Sequence, residues 1–278
     1  MSFGVFFAVL FAAFLHASWN AIVKFGVNKL QGMVLLSIAH ALIGLMMVIA
    51  FPLPDRAALG WLAISVVLHL IYKTFLTLAY QNGDLSRVYP ISRGTAPVIV
   101  LFVSLLFLSD SFTNWQVAGV FVVGFGILMM AHGVFANDEQ RELLPYALGA
   151  AMGTAGYTLA DGIGARLSMQ PSAFIGWVFV LDASLFTLWA VAFKGFDVLP
   201  KQPRIWALGL AAGSASVGAY WIAVWAMTVA PIALIATLRE TSVLFAVLIG
   251  VLYLKERYDK TKVLAAFVIV CGVVMMRF

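Results

Sequence analysis

Apolar runs of about twenty residues recur along the whole chain, separated by short breaks that carry charge, Pro or Gly. They fall near 3–23, 33–51, 58–80, 87–108, 114–133, 144–165, 172–193, 204–228, 231–254 and 261–277. An α-helix rises about 1.5 Å per residue, so each run reaches across the ~30 Å hydrocarbon core of a bilayer. Backbone amides in hydrocarbon must be satisfied within their own element, which a helix achieves and a lone strand does not. The runs also lack the two-residue polar alternation of a barrel strand. The pattern predicts ten membrane-spanning helices in an all-α integral membrane protein. The opening segment has no charged n-region and is long enough to span, so it reads as the first helix and not as a cleaved signal. The breaks leave no room for a soluble domain, and the longest polar one is 134–143.

That break divides the chain nearly in half. A shift of 146 residues lays Arg93-Gly-Thr95 on Arg239-Glu-Thr241 and Leu108-Ser-Asp110 on Leu254-Lys-Glu256. It also lays Gly126 and Met129-Met130 on Gly272 and Met275-Met276. Over 86–130 against 232–276 ten positions are identical without a gap, where composition alone gives roughly four or five. Residues 1–142 and 143–278 are therefore expected to be two five-helix repeats within one transmembrane domain. An odd number of spans makes the halves enter the membrane from opposite sides, which is an inverted-topology repeat.

Composition agrees and removes other classes. Hydrophobic residues make up 63% of the chain and charged ones 10%, against roughly 25% charge in a soluble domain. The single Cys271 excludes a disulfide framework, and His16, His40, His69 and His132 show no metal-ligand spacing, so no metal or cofactor is expected. The net charge of +5 is scattered over short connections. That suits loops facing an anionic leaflet and not nucleic acid.

Most charges lie in the breaks, but Lys73, Arg93, Asp161, Asp182, Arg239 and Glu240 fall inside spans. An ionisable group near the bilayer centre costs at least about 2.5–3.5 kcal/mol, so such residues face a cavity or a companion group. Arg93 and Arg239 are related by the repeat, and two guanidiniums at a midplane cavity can hold a carboxylate, phosphate or phosphonate. Each can equally bond exposed carbonyls or pair with Glu240 or Asp161, locking helices together. Tyr89 lies one turn before Arg93. Polar stripes on the third span (His69, Tyr72, Lys73, Tyr80), the first (His16, Trp19, Asn20) and the sixth (Tyr157, Asp161) point to cavity-facing surfaces. Trp19, Trp221 and Trp225 lie deep enough for an aromatic box around an ammonium group, or for core packing. His16, His69, Asp182 and Glu240 are the proton-coupling candidates by residue type and depth. Pro90 and Pro97 should bend the fourth span, whose repeat counterparts are Ala236 and Val243, so a gate is expected there. Gly149-x-x-x-Gly153 and Gly209-x-x-x-Gly213 allow close helix contact.

Val88-Tyr-Pro-Ile-Ser-Arg-Gly-Thr-Ala-Pro97, Leu238-Arg-Glu-Thr-Ser-Val-Leu-Phe245 and the acids Asp110 and Glu256 resemble the ten-helix EamA-type carriers of the drug/metabolite transporter superfamily. The resemblance implies a secondary carrier whose spans 1, 3, 4, 6, 8 and 9 line the path while 5 and 10 pack at the periphery. The family's Gly-Glu pair is replaced here by Ser109-Asp110 and Lys255-Glu256. The resemblance implies that both termini are cytoplasmic. Here the connections opposite the termini hold eleven Lys or Arg against Arg56, Arg166 and Arg277 on the other side, which by the positive-inside rule puts the termini outside.

The expected function is secondary active transport of a small polar organic metabolite by alternating access, in a plasma (bacterial inner) membrane. The solute would be amino-acid-like, zwitterionic or anionic, and movement ion- or proton-coupled or by exchange. Arg93, Arg239 or Lys73 would hold its anionic group, and Glu240, Asp161 or the aromatic residues an amine. Two alternatives are a flippase for lipid or polyprenyl-phosphate headgroups and a carrier for an organic cation in an aromatic box. Partners are the small-molecule substrate and membrane lipid, with the protein a monomer or homodimer. No nucleophile–base–orienter set is present in the sequence, so no enzyme is expected.

Overall fold

A computed structural model describes the backbone of residues 1–26, 29–82, 85–130, 143–254 and 260–278. Side chains are described outside 24–29, 77, 80–90, 131–143 and 250–259. The described residues are helical, in the order α1 Phe3–Gly26, α2 Lys29–Ala50, α3 Arg56–Asn82, α4 Leu85–Phe107, α5 Asn114–Met129, α6 Leu143–Leu167, α7 Pro171–Lys194, α8 Pro203–Val229, α9 Ile232–Arg239, α10 Ser242–Leu254 and α11 Lys260–Met275. A single 3₁₀ turn, Phe196–Val198, follows α7. Helices α9 and α10 are the two parts of the ninth span, so the ten predicted spans are all helical. Among the described residues six stretches are by themselves long and apolar enough to cross a membrane: Phe3–Val23, Leu30–Ala50, Arg56–Leu76, Pro171–Lys194, Pro203–Val229 and Ile232–Ile249.

Local chemistry sets several helix ends. Thr113 accepts from the Gln116 amide while the Gln116 side chain accepts from the Thr113 amide, a reciprocal cap on α5. Pro171 opens α7, where its missing N–H costs nothing, and Gly195 closes it at φ 72°. The Asp110 carboxylate accepts from the Ile232 amide at 3.2 Å, joining the end of the fourth span to the first turn of α9.

The sequence pattern predicts an unbroken ninth span, and the structure interrupts it at Glu240 and Thr241. Over this turn the hydrogen bonds run three residues back: Glu240 to Thr237 at 3.0 Å, Thr241 to Leu238 at 3.1 Å, Val243 to Glu240 at 3.1 Å and Leu244 to Thr241 at 2.9 Å. The Thr237 and Thr241 hydroxyls donate to the Ala233 and Leu238 carbonyls, the local bonding by which threonine competes with regular helix. No proline is involved. Helix α4, by contrast, continues through both Pro90 and Pro97.

Two compact units divide the chain, one formed by Met1, Val67–Ala160 and Val229–Phe278, the other by Ser2–Val66 and Asp161–Thr228. In the first, α5 packs against α4 and α11, and α9 packs against α4. A Cβ added to Gly126 would lie 3.1 Å from the Ile269 nitrogen and 3.2 Å from the Ala265 oxygen. One added to Gly272 would lie 2.8 Å from the Val123 nitrogen and 2.8 Å from the Gly119 oxygen. The repeat carries Gly126 onto Gly272, Val123 onto Ile269 and Gly119 onto Ala265, so these contacts are one contact made twice. Its partners run in opposite chain directions, so α5 and α11 are antiparallel and related by a pseudo-two-fold across their axes. For membrane-crossing helices such an axis lies in the membrane plane.

In the second unit α2 packs on α7, and the same reciprocity appears about Gly44 and Gly176. Gly44 approaches the Phe179 Cβ at 2.8 Å, and Gly176 approaches the Met47 Cβ at 2.9 Å. Here the repeat carries Gly44 onto Gly176, a smaller shift than the one carrying Gly126 onto Gly272. The second half is therefore longer between its seventh and ninth spans. Gly209 and Gly213 on α8 lie against Leu35 and Ala39 of α2.

Candidate functional site

In the unit built from Met1, 67–160 and 229–278, glycines bring helices close together in two pairs. Gly149, Gly153 and Gly156 on α6 lie against Phe75, Tyr72 and Leu68 of α3, the added Cβ at Gly153 falling 2.9 Å from the Tyr72 Cα. Gly94 on α4 approaches the Gly124 carbonyl of α5. With α9 against α4, the interruption of the ninth span delivers Glu240 to Arg93. The Arg93 guanidinium donates to Glu240 Oε1 at 3.1 Å, the two side chains 7% and 4% exposed. That burial decides the character of the pair, which is held away from solvent and cannot be dismissed as a screened surface bridge.

Beside the pair is a small niche lined by Ala96, Pro97 and Val100 of α4, Thr154 and Thr158 of α6, Ala236 and Arg239 of α9, and Glu240. It holds about one water-sized molecule in this conformation. The second carboxylate oxygen of Glu240 and the Thr154 hydroxyl are buried and make no hydrogen bond among the described residues. Arg239 is half-buried and has no acidic counterpart among the described residues. Thus the structure brings Arg93, Arg239, Glu240 and Pro97 together. It pairs Arg93 with Glu240, and it leaves the second arginine facing the niche.

The remaining sequence candidates in this unit form an aromatic group. His69 stacks on Tyr157 with centroids 4.1 Å apart, and Tyr72 meets Tyr157 edge-on at 5.4 Å. Lys73 is half-buried on α3 beside Tyr72. The side chains of Tyr89, Pro90 and Tyr80 lie outside the described residues, as do His132 and Glu256.

Other candidates belong to the second unit. Asp161 is buried on α6 and accepts from the Ser65 and Tyr220 hydroxyls, one on each oxygen. Asp182 is buried on α7. On α1, Trp19 donates to His16 Nδ1 at 3.3 Å and Asn20 donates to the His16 carbonyl at 2.7 Å, so this stripe bonds to itself. Trp221 donates to Ser172 at 3.1 Å, and with Trp225 it is about two-fifths exposed (39% and 41%). Those exposures give a cation little enclosure from these two rings.

Sequence reasoning missed Thr154, Thr158, Ser65 and Tyr220. Thr154 and Thr158 share one face of α6 at helical spacing. That was a signal, but threonines are ordinary in membrane helices and carry no charge to draw notice. Asp110 was noted as a repeated loop acid, and its role as a helix cap appears only in the fold.

A search of the solved structures finds a crystal structure that matches 99% of this chain and 96% of its own, with a TM-score of 0.77 at 17% identity, a likeness of fold. No curated protein matches the sequence. The sequence model of the EamA-like transporter family matches residues 2–131 and again 143–278. A family match over both halves, on a fold in which each unit repeats a reciprocal glycine contact, makes the chain a multi-pass membrane carrier of the EamA-like transporter family.

Proposed function

We propose that this carrier moves a small polar organic solute bearing an anionic group, amino-acid-like, zwitterionic or simply anionic, by alternating access across a bacterial inner membrane. The observation that carries this reading is the niche at the interrupted ninth span, where Arg239 faces a cavity beside the buried Arg93–Glu240 pair. Broken helices expose backbone dipoles and side chains near the midplane, which suits a site that must strip water from a polar solute and later release it. The niche is contracted, so solute entry requires α4, α6 and α9 to separate. The two sequence repeats, 1–142 and 143–278, supply the paired halves that alternating access needs.

The test is accumulation in proteoliposomes under an imposed proton or potential gradient, read with labelled polar metabolites. Concentration of a solute above equilibrium is expected. Wild-type protein that accumulates no solute under any gradient would overturn the reading, and equilibration without concentration would replace it with a passive pathway.

A further inference from the structure

The two-fold in the unit holding the niche makes a rule. A contact between one residue of each repeat recurs with the two positions exchanged through the repeat, as Gly126–Ile269 recurs as Gly272–Val123. Applied to Arg93–Glu240, the rule carries Arg93 onto Arg239 and Glu240 onto Gly94. The base is duplicated and the acid is not. Position 94 has no space for one, since even a Cβ there would lie 3.1 Å from the Gly124 carbonyl oxygen and 3.0 Å from Leu128. Among the described residues the niche region therefore holds two guanidiniums and one carboxylate, and Arg239 is the base whose repeat-related acid is replaced by Gly94.

We infer that a carboxylate on the transported solute supplies that missing acid, meeting Arg239 as Glu240 meets Arg93. The inference rests on the carrier reading above and narrows its substrate class. A planar carboxylate fits the guanidinium fork, and its single negative charge balances the excess base. Glu240 Oε2 and the Thr154 hydroxyl, on residues each 3% exposed, have no hydrogen-bond partner among the described residues and belong to the same niche. Buried polar atoms in that position are satisfied by a ligand that brings a donor. An ammonium or hydroxyl on the carbon next to the carboxylate does so within the short span available. The class is thus small amino or hydroxy carboxylic acids. Phosphate monoesters bring about two negative charges to one excess base, and neutral sugars and amines carry no acid at all.

The experiment uses full-length protein reconstituted in phosphatidylcholine, whose headgroup has no carboxylate to compete. It is titrated with small α-amino acids, lactate, the corresponding amides, a simple alkylamine and inorganic phosphate, reading ligand-induced thermal stabilisation. At least one acid should bind while its amide, the amine and phosphate do not. Arg239→Gln should weaken that acid at least tenfold, with Arg239→Lys intermediate because the ammonium offers no fork. If Arg239→Gln unfolds at lower temperature without ligand, Thr154→Val gives an independent reading and should weaken the same acid. Binding of no acid, equal binding of acid and amide, or unchanged affinity in the variants would overturn the inference. Accumulation of an anionic solute without a carboxylate would remove this inference and leave the carrier reading standing.

Discussion

Arg93 and Glu240, 147 positions apart in the chain, meet at 3.1 Å in a site closed to solvent. Removing one member of a buried pair strands the other charge and costs about 3–5 kcal/mol, whereas replacing both with apolar groups of similar volume is often neutral or stabilising. Glu240→Leu alone should lower the unfolding temperature strongly, and Arg93→Met with Glu240→Leu should recover most of the loss. Thermal unfolding of Glu240→Leu, Arg93→Met and the double variant in one detergent checks this. A double variant as unstable as the sum of its singles would mean the two residues act independently.

The paired glycines predict matched costs. Gly126→Ala and Gly272→Ala each drive a methyl group into a facing backbone, at 3.1 Å and 2.8 Å from nitrogen. Overpacking of this kind costs about 1–3 kcal/mol. Both should destabilise, Gly272→Ala somewhat more, while Gly4→Ala, with nothing within 4 Å, should not. Equal unfolding temperatures for all three would remove the close approach of α5 and α11.

Those glycines also explain how far the fold was legible. Ten spans follow from hydrophobic length, because lipid permits few other ways to satisfy a backbone. The repeat was readable only over 86–130 against 232–276 because there one shift holds throughout. Gly44 and Gly176 need a smaller shift, so the ungapped comparison passes over them. The ninth span read as a continuous helix because hydrophobicity does not register a change from bonds four residues back to three. Its interruption comes from the local bonding of Thr237 and Thr241 and from a glutamate committed to Arg93. The charged residues of the niche stood out in the sequence, but which arginine is paired did not, since that depends on what lies opposite each one.

Thr154 should show opposite effects on stability and binding. Its buried hydroxyl lacks a hydrogen bond among the described residues, a cost of about 1–3 kcal/mol to the protein without ligand. Thr154→Val should therefore leave the unliganded protein as stable or more so, while weakening solute binding. A clear loss of stability without ligand would show that the hydroxyl is structural.

Asp161 predicts a graded series in the other unit. Asp161→Asn keeps an acceptor for one of the two hydroxyls, while Asp161→Ala removes the carboxylate acceptor of both Ser65 and Tyr220. Unfolding temperatures should fall in the order wild type, Asn, Ala, with Tyr220→Phe near the Asn variant. An alanine variant as stable as wild type would show that this carboxylate does not hold α3, α6 and α8 together.

The loop cations predict both termini on the side away from the cytoplasm, eleven Lys or Arg against three. A carboxy-terminal reporter that fluoresces only in the cytoplasm should stay dark, and one active only outside should be bright. The opposite result would show that this family member ignores the bias of its loops.

The turn at Glu240 and Thr241 has a mechanical consequence. A residue in the three-back register advances about 120° around the axis and 2.0 Å along it, against about 100° and 1.5 Å in an α-helix. Converting two residues from one register to the other would swivel α10 by roughly 40° against α9 and draw it in by roughly 1 Å, a change that spin labels on the two helices would detect. Because each amide only exchanges one carbonyl for its neighbour, the swivel breaks the backbone ladder nowhere. The ninth span is thus jointed like a screw, able to turn its apolar second part against its first while every peptide group stays bonded.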